Sequence, residues 1–469
     1  MTVAVTRSKA EQALTESFEA VAGALPGRNA VREARRRAIG TFAALGLPHR
    51  RIEEWKYTDL RALLKEAFPP AIGRAAGVDQ RALDAALGPV LAGLEAVRIV
   101  FVDGAFAPGL TRLDAEHGRN YHFDPLTRGL AEGFDWLEAL LAETEGPKSG
   151  AVVALNTAFA TDGVMLRVVD GARLKRPVHL VFASSGAQKR AVTTRNFLEV
   201  GAGAEAVVVE THVGLGGAAA SQHNTVTEVA VRDRARLQHL KVLAGGAEVS
   251  SGPAGSAHIG TWIARLGAQS VYRAFQLTAG MPLVRNQLLV TFAGEGAKLD
   301  ISGCFLGGAA EHIDTTLVVD HAVPGCESRE LIKGVLAERA RGVFQGKVIV
   351  RPDAQKTDGK QMAQALMLSE EAEFDSKPEL EIHADDVACG HGSTAAELDA
   401  DMLFYLCSRG ITLDEARALL IESFVGQALD RIEDESLREA VSAIAKGRLA
   451  ALAALAGLRA TAARAEDEP

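Results

Sequence analysis

Between Ala204 and Cys326 the chain repeats itself at a spacing that few folds accommodate. The turn-like segments GAGAEA, RDRARL, RLGAQS, GEGAKL and PGCESR carry Ala204, Ala235, Ala268, Ala297 and Cys326, at steps of 31, 33, 29 and 29 residues. Each is flanked by runs rich in Val, Ile, Leu and Thr. A small residue at a turn about every 30 positions is what a coiled β-solenoid needs, because successive coils stack and bury one continuous apolar core. The residues themselves are not strictly repeated, so a sandwich or barrel with an accidental spacing satisfies the same observation.

The rest of the chain divides around this region. From residue 8 to about 95 the pattern is helical, with Leu14, Phe18, Val21 and Ala22 on one stripe. At Val97 the period changes, and VRIVFVDGAF reads as a strand ending in the tight turn Asp103-Gly104. A Leu-, Ala- and Glu-rich segment from 124 to 146 predicts one helical interruption, and strands are expected from about 151 to 390. Beyond Gly392 two T-x-x-E capping boxes, Thr394 to Glu397 and Thr412 to Glu415, predict two helix starts separated by the turn Ser408-Arg409-Gly410. The second helix is apolar on two adjacent lines, Leu413, Ala416, Leu420, Phe424 and Ala428 beside Ile421, Val425 and Ile432, a face wider than one contact uses. The tail from Arg459 to Pro469 is expected to be disordered. The expected fold is therefore mainly β: a parallel β-helix core over 96–392, with a helical excursion near 124–146, between a helical domain over 1–95 and a helical region over 393–469.

Composition removes several functions. With 51 basic and 60 acidic residues the net charge is −9, unsuited to general nucleic-acid binding by phosphate neutralisation. No apolar run reaches the roughly 18–20 residues of a membrane span, and MTVAVTRSKAEQ lacks a signal pattern, so a cytoplasmic location is expected. The four cysteines, Cys304, Cys326, Cys389 and Cys407, form no CxxC pair or zinc-ribbon spacing. The glycines from Gly214 to Gly217 lack the phosphate-loop pattern, and no G-x-S-x-G elbow occurs, so neither ATP hydrolysis nor serine hydrolase chemistry is expected.

The densest group of chemically capable residues is Glu381, His383, Asp385, Asp386, Cys389 and His391, ending at Ser393. If this is the last solenoid strand, a period of two puts Cys389 and His391 on one face, with Gly390 and Gly392 leaving room for another chain. A thiolate and an imidazole suit iron, zinc or copper, but two ligands close no site, so further ligands would have to come from another molecule. The plainer reading is a buried small cysteine and a structural histidine. His312, Asp314, Asp320 and His321 form a weaker metal candidate, and Arg285, Asn286 and Gln287 read as strand and turn hydrogen bonders.

HADDVACGHGSTAAELDADMLFYLCSRGI, His383 to Ile411, resembles the C-terminal signature of the SufB/SufD family, the paired scaffold subunits of the SUF iron–sulfur cluster assembly system. The likeness extends through RGVFQGKVIVRPDAQKTDGKQ, Arg341 to Gln361, the stretch with His312, Asp314 and His321, and Leu155 to Phe159. Arg51-Ile-Glu-Glu54-Trp55-Lys56-Tyr57-Thr58-Asp59 is similar to the R-x-E-x-W-[KR]-Y-T-[DN] block that opens the SufD branch, and the cysteine-rich stretch usual in SufB is missing. After Gln361, where family members often carry asparagines, this chain has Met-Ala-Gln-Ala.

The resemblance implies a non-catalytic scaffold that pairs with a SufB-like paralogue through the C-terminal solenoid strands and docks a SufC-like ATPase on its C-terminal helices. It further implies that His391, and less firmly Cys389, serve a nascent iron–sulfur cluster shared with SufB, none being stably bound to the isolated chain. Thr412, Leu420, Phe424 and Val425 mark the expected docking helix. A SufB-like scaffold and a purely structural adaptor are the nearest alternatives. A β-solenoid polysaccharide enzyme is more distant, since adjacent Asp385 and Asp386 on a strand would point to opposite faces.

Overall fold

The computed structural model describes residues 7–73, 77–133, 150–244 and 254–466. Its 19 strands run from β1 (Val97–Val102) to β19 (Ala388–Ala396), and from β5 (Val178–Ser184) onward they alternate between two parallel sheets. Odd strands form one sheet, ending β15 (Glu327–Leu336), β17 (Asp358–Met367), β19; even strands form the other, ending β16 (Arg341–Val350), β18 (Glu373–Ile382). Each coil thus gives one strand to each sheet, as the parallel β-helix reading requires, and the inward residues form a single core running through Leu180, Val208, Leu237, Ile301, Phe305 and Phe344.

Register locates the column of small residues. Ala204, Ala235, Ser270, Ala297, Cys326 and Thr357 occupy equivalent positions just before successive strands, and all are buried. Ser270, not Ala268, belongs to it, because the GAQS turn holds two more residues before the strand begins. Directly ahead of these six stand Gly203, Arg234, Gln269, Gly296, Gly325 and Lys356, all with φ between 55° and 69°. Each turns its N–H onto the carbonyl of the next coil, at Asp233, Ala268, Glu295, Pro324, Gln355 and Asp386, over 2.7–3.3 Å. Arg234, Gln269 and Lys356 take a conformation that costs an L-residue about 1–2 kcal/mol, offset by a coil-to-coil bond that would otherwise be an unpaired donor.

The two ends of the chain cover the outer faces. The helix Leu413–Leu429 and the long helix beginning at Glu435 lay Ile421, Val425, Leu429, Leu437 and Val441 against Leu240, Phe275, Leu306 and Val335 of the odd sheet. The Thr412–Glu415 capping box forms as expected. Thr394 does not start a helix: it lies in β19, and the helix Ala400–Ser408 is capped by Asp399, because ladder pairing with β17 holds residues up to Ala396 extended. Helical backbone continues to Glu466, through most of the tail expected to be disordered. The stretch from 151, expected as strand, opens with the helix Gly150–Phe159, whose Asn156 donates to the carbonyls of Thr194 and Asn224, each at 2.9 Å. Of the excursion near 124–146, Leu126–Glu132 is helical and 134–146 lies outside the described residues.

The W-K-Y-T block explains the candidate metal residues. Trp55 covers the Arg285 guanidinium, 3.7 Å from its ring centre; Arg285 pairs with Asp314 and donates to the Glu54 carbonyl at 2.7 Å. The Thr58 hydroxyl donates to Asp314 and accepts from His312 Nε2 at 2.8 Å. His312 and Asp314 are therefore committed to holding the N-terminal segment on the outer face of the even sheet. Asp320 pairs outward with Arg351, and His321 stacks inward on Phe292. The four do not converge. Replacing Arg285 with Leu leaves Asp314 buried and unpaired, so a loss of about 3–5 kcal/mol is expected. The urea midpoint should fall, with early proteolysis between residues 46 and 73; an unchanged midpoint would show that Thr58 and His312 hold Asp314 without the arginine.

Candidate functional site at the open end of the solenoid

β18 and β19 are the terminal strands of both sheets, and among the described residues no further strand pairs with either. Alternation along β19 sends Cys389, His391 and Ser393 to the same side. Two contacts identify that side as the lumen. Cys389 packs on the interior core, and Ser393 Oγ meets Ser376 Oγ of β18 at 2.6 Å. His391 lies between them, exposed at the mouth, roughly 7 Å from Cys389 along the backbone. Burial raises the Cys389 thiol above its ordinary value, opposing the thiolate that a metal would need.

The neighbouring acidic residues do not join this pair. Glu381 is on the outward side of β18, bonded to Lys347 at 2.5 Å and to His383 at 3.2 Å. Asp385 and Asp386 stand in the turn before β19 instead of on a strand, with Asp386 paired to Lys356. Among the described residues no three His, Cys, Asp or Glu side chains form a metal-holding group. The arrangement offers two ligands at an open rim and nothing to complete them from this chain's acids.

Two residues that sequence reading passed over lie directly behind His391. The ladder places Glu330 of β15, Gln361 of β17 and His391 of β19 in one inward column. Their spacings of 31 and 30 residues match the repeat, which was the signal that could have found them. Glu330 is 2% and Gln361 3% exposed, and among the described residues neither side chain has a well-formed hydrogen bond, with the Ser328 hydroxyl as the polar group that touches the Glu330 carboxyl. Gln361 reaches across the lumen to Gly346, where a Cβ would come within 2.3 Å of its Nε2.

The docking residues are split by the structure. Thr412 caps its helix and is exposed; Leu420 and Phe424 are half-buried, with Lys333 Nζ 4.3 Å from the Phe424 ring centre. Val425 is only 1% exposed and belongs to the packing against the odd sheet, so it presents nothing to a partner. The open apolar surface is instead Met402, Phe404, Tyr405, Leu413 and Leu419, with Phe404 77% exposed. Helix Ala400–Ser408 buries none of its residues.

Burial lifts the Glu330 carboxyl to about 8, with Asp300 adding to the rise and Ser328, Arg329 and Arg431 opposing it. The folded chain therefore keeps a proton that an unfolded glutamate releases near about 4.3. Stability contributed by the neutral carboxyl is full below that value and declines as pH climbs to about 8. Glu330→Gln should remove this slope, gaining several kcal/mol on the wild type between about pH 5 and about pH 8. Paired urea midpoints at the two pH values check it, and a constant difference between the proteins would refute it.

Comparison with known proteins identifies the family. Residues 182–424 match the SufBD core domain of SUF system FeS cluster assembly, and residues 8–180 match the SufBD protein N-terminal region. The iron–sulfur cluster assembly protein SufD of Escherichia coli is 31% identical over 85% of this chain and 88% of its own length. A SufBD family iron–sulfur cluster assembly protein of Synechocystis is 31% identical over 86% and 88%. A solenoid of parallel coils with helices at both ends, opened by the Trp55-to-Asp59 block and ending in Cys389 and His391, thus belongs to the SufBD family of the SUF iron–sulfur assembly system and is of the SufD type.

Proposed function

We propose that this chain works as the non-catalytic SufD subunit of an assembly complex, pairing with a SufB-like paralogue at the β18–β19 end and carrying a SufC-like ATPase on its C-terminal helices. The observation that carries the reading is that both sheets stop in the same coil. Their last strands present unpaired backbone edges beside the lumen-facing Cys389, His391 and Ser393. Free parallel edges of this length invite strand addition, and a partner chain that continues the sheets would also deliver ligands to the rim. The nascent cluster is the cargo of that junction, with His391 the first ligand and Cys389 the second.

The ATPase docks on the apolar surface of Met402, Phe404, Tyr405, Leu413 and Leu419, which nothing in this chain covers among the described residues. No described helix is long and apolar enough to cross a membrane, so this surface is not a bilayer-spanning one. A protein partner is the occupant that the SufD likeness favours.

The chain purified alone should lack stoichiometric iron and sulfide. Within the complex, His391→Ala should leave the subunits assembled while lowering bound iron, and Cys389→Ala should lower it less. Subunit stoichiometry and iron are measured on one preparation: an intact complex with wild-type iron returns His391 to a structural role, and loss of the complex makes it an interface residue. Phe404→Asp should release the ATPase in a co-purification without altering the melting curve, because Phe404 supports no internal packing. Undiminished ATPase recovery with that variant would place the docking surface elsewhere.

A further inference from the structure

Most polar groups inside the lumen are partnered. Glu210 accepts from His212 at 2.6 Å and from the Trp262 indole at 3.2 Å; Lys241 donates to His258 at 2.8 Å and to Asn286 at 3.1 Å. The Glu330–Gln361 pair breaks that rule at the end of the solenoid where the candidate site lies. A carboxyl and a carboxamide are enclosed there without a well-formed side-chain hydrogen bond among the described residues; the Ser328 hydroxyl near the carboxyl is already bonded to His321 at 3.1 Å, and an unmet polar group inside a protein costs about 1–3 kcal/mol. The nearby cations are already engaged: Arg329 pairs with Asp358, and Arg431 with Asp300.

Ladder neighbours stand about 4.8 Å apart at the backbone, so a Gln361 carboxamide turned from Gly346 along the column and the Glu330 carboxyl can each bring an oxygen to one ion at about 2.4 Å. The donors are two oxygens with an imidazole next in the column, a set that suits a hard or borderline divalent metal ion better than a soft one. Gly346 keeps the opposite wall clear for the Gln361 side chain.

We propose that Glu330 and Gln361 form an inner site for a divalent iron ion, one coil behind the rim residues Cys389 and His391. The inference deepens the reading of that rim as the cluster-forming junction: iron entering past His391 has a holding position before it meets ligands from the partner. The ion takes the place of the proton that the buried Glu330 carboxyl keeps, which is released to solvent, and a single carboxylate and a carboxamide hold it loosely, so it is lost on purification and retained only while free metal is present.

Manganese(II) alone serves as the probe, titrated anaerobically into the full-length chain and followed by loss of the free-ion electron paramagnetic resonance signal. Wild type should bind one ion per chain saturably. Glu330→Gln and Gln361→Leu should each weaken binding by about tenfold or more, with melting temperatures no lower than wild type, while His391→Ala at the rim should weaken it less. Should Glu330→Gln fail to fold, Gln361→Leu carries the test. Absence of saturable binding in the wild type, or undiminished binding in both inner variants, overturns the inner site whatever His391 does. Loss of binding in the inner variants together with wild-type iron in the His391→Ala complex keeps the inner site and removes the rim reading.

Discussion

The structure depends on one recurring interaction: an N–H turned sideways onto the next coil by a residue in the left-handed region. Gly203, Arg234, Gln269, Gly296, Gly325 and Lys356 each supply it, and each is followed by a small or compact residue buried against the core. That bond keeps the coils in register at the corner where the chain leaves one sheet for the other. Because side chains alternate with a period of two, a slip of one residue there would move a whole strand's inward set to the outside. The columns of like position through the lumen, and so the stacking of Glu330, Gln361 and His391, are consequences of that corner.

A structure built by stacking has to stop, and how it stops determines what it can do. At the first end, antiparallel strands finish both sheets, β2 (Ala105–Phe106) against β1 and β3 (Tyr121–Pro125) against β4 (Val164–Val168). The outer faces are taken by helices and by the Trp55–Thr58 segment. The last coil receives neither kind of cover. β18 is tied to the N-terminal segment by the Lys377–Glu53 bridge at 2.7 Å, and β19 is half-buried or exposed throughout. An ion pair whose carboxylate stands fully in solvent is screened by water and too weak to close an edge. The surface that carries Cys389 and His391 is thus also one whose backbone edges are unmet among the described residues.

Much of this was legible in the sequence, and the failures share a cause. The hairpin at Asp103-Gly104, the Leu14 and Phe18 stripe and the Thr412 capping box are local patterns, and all form. Thr394-Ala-Ala-Glu397 has the same local pattern and fails, because it is paired to β17 through residues some thirty positions away. His312 and Asp314 had the composition of a metal site but not its geometry; what they bind, Thr58 and Arg285, is visible only once residue 58 is folded onto residue 314. Glu330 was hidden differently: in a strand that also carries Glu327, Arg329 and Lys333 it reads as one more outward charge until register assigns it inward. Family likeness pointed to His391 and Cys389, while the column behind His391 came from the ladder.

The lumen is also not one continuous polar channel. Following the ladder from Lys241 leads through Gln276 to Gly303 and Ile332, and from His239 through Ala274 to Ile301, before Glu330 is reached. Ile301, Ile332, Phe305 and Leu317 are all buried in the core between the two polar regions. A charge at Glu330 is therefore separated from the Glu210–Lys241 network by apolar side chains, while Ser328, Arg329, Asp300 and Arg431 are the polar groups that act on it. In such surroundings a cation and the carboxylate left once Glu330 gives up its proton attract each other more strongly than they would in water. The apolar stretch therefore bounds the polar column on its inner side, and Gln361 and Glu330 lie between that wall and the open coil where a second chain would meet it.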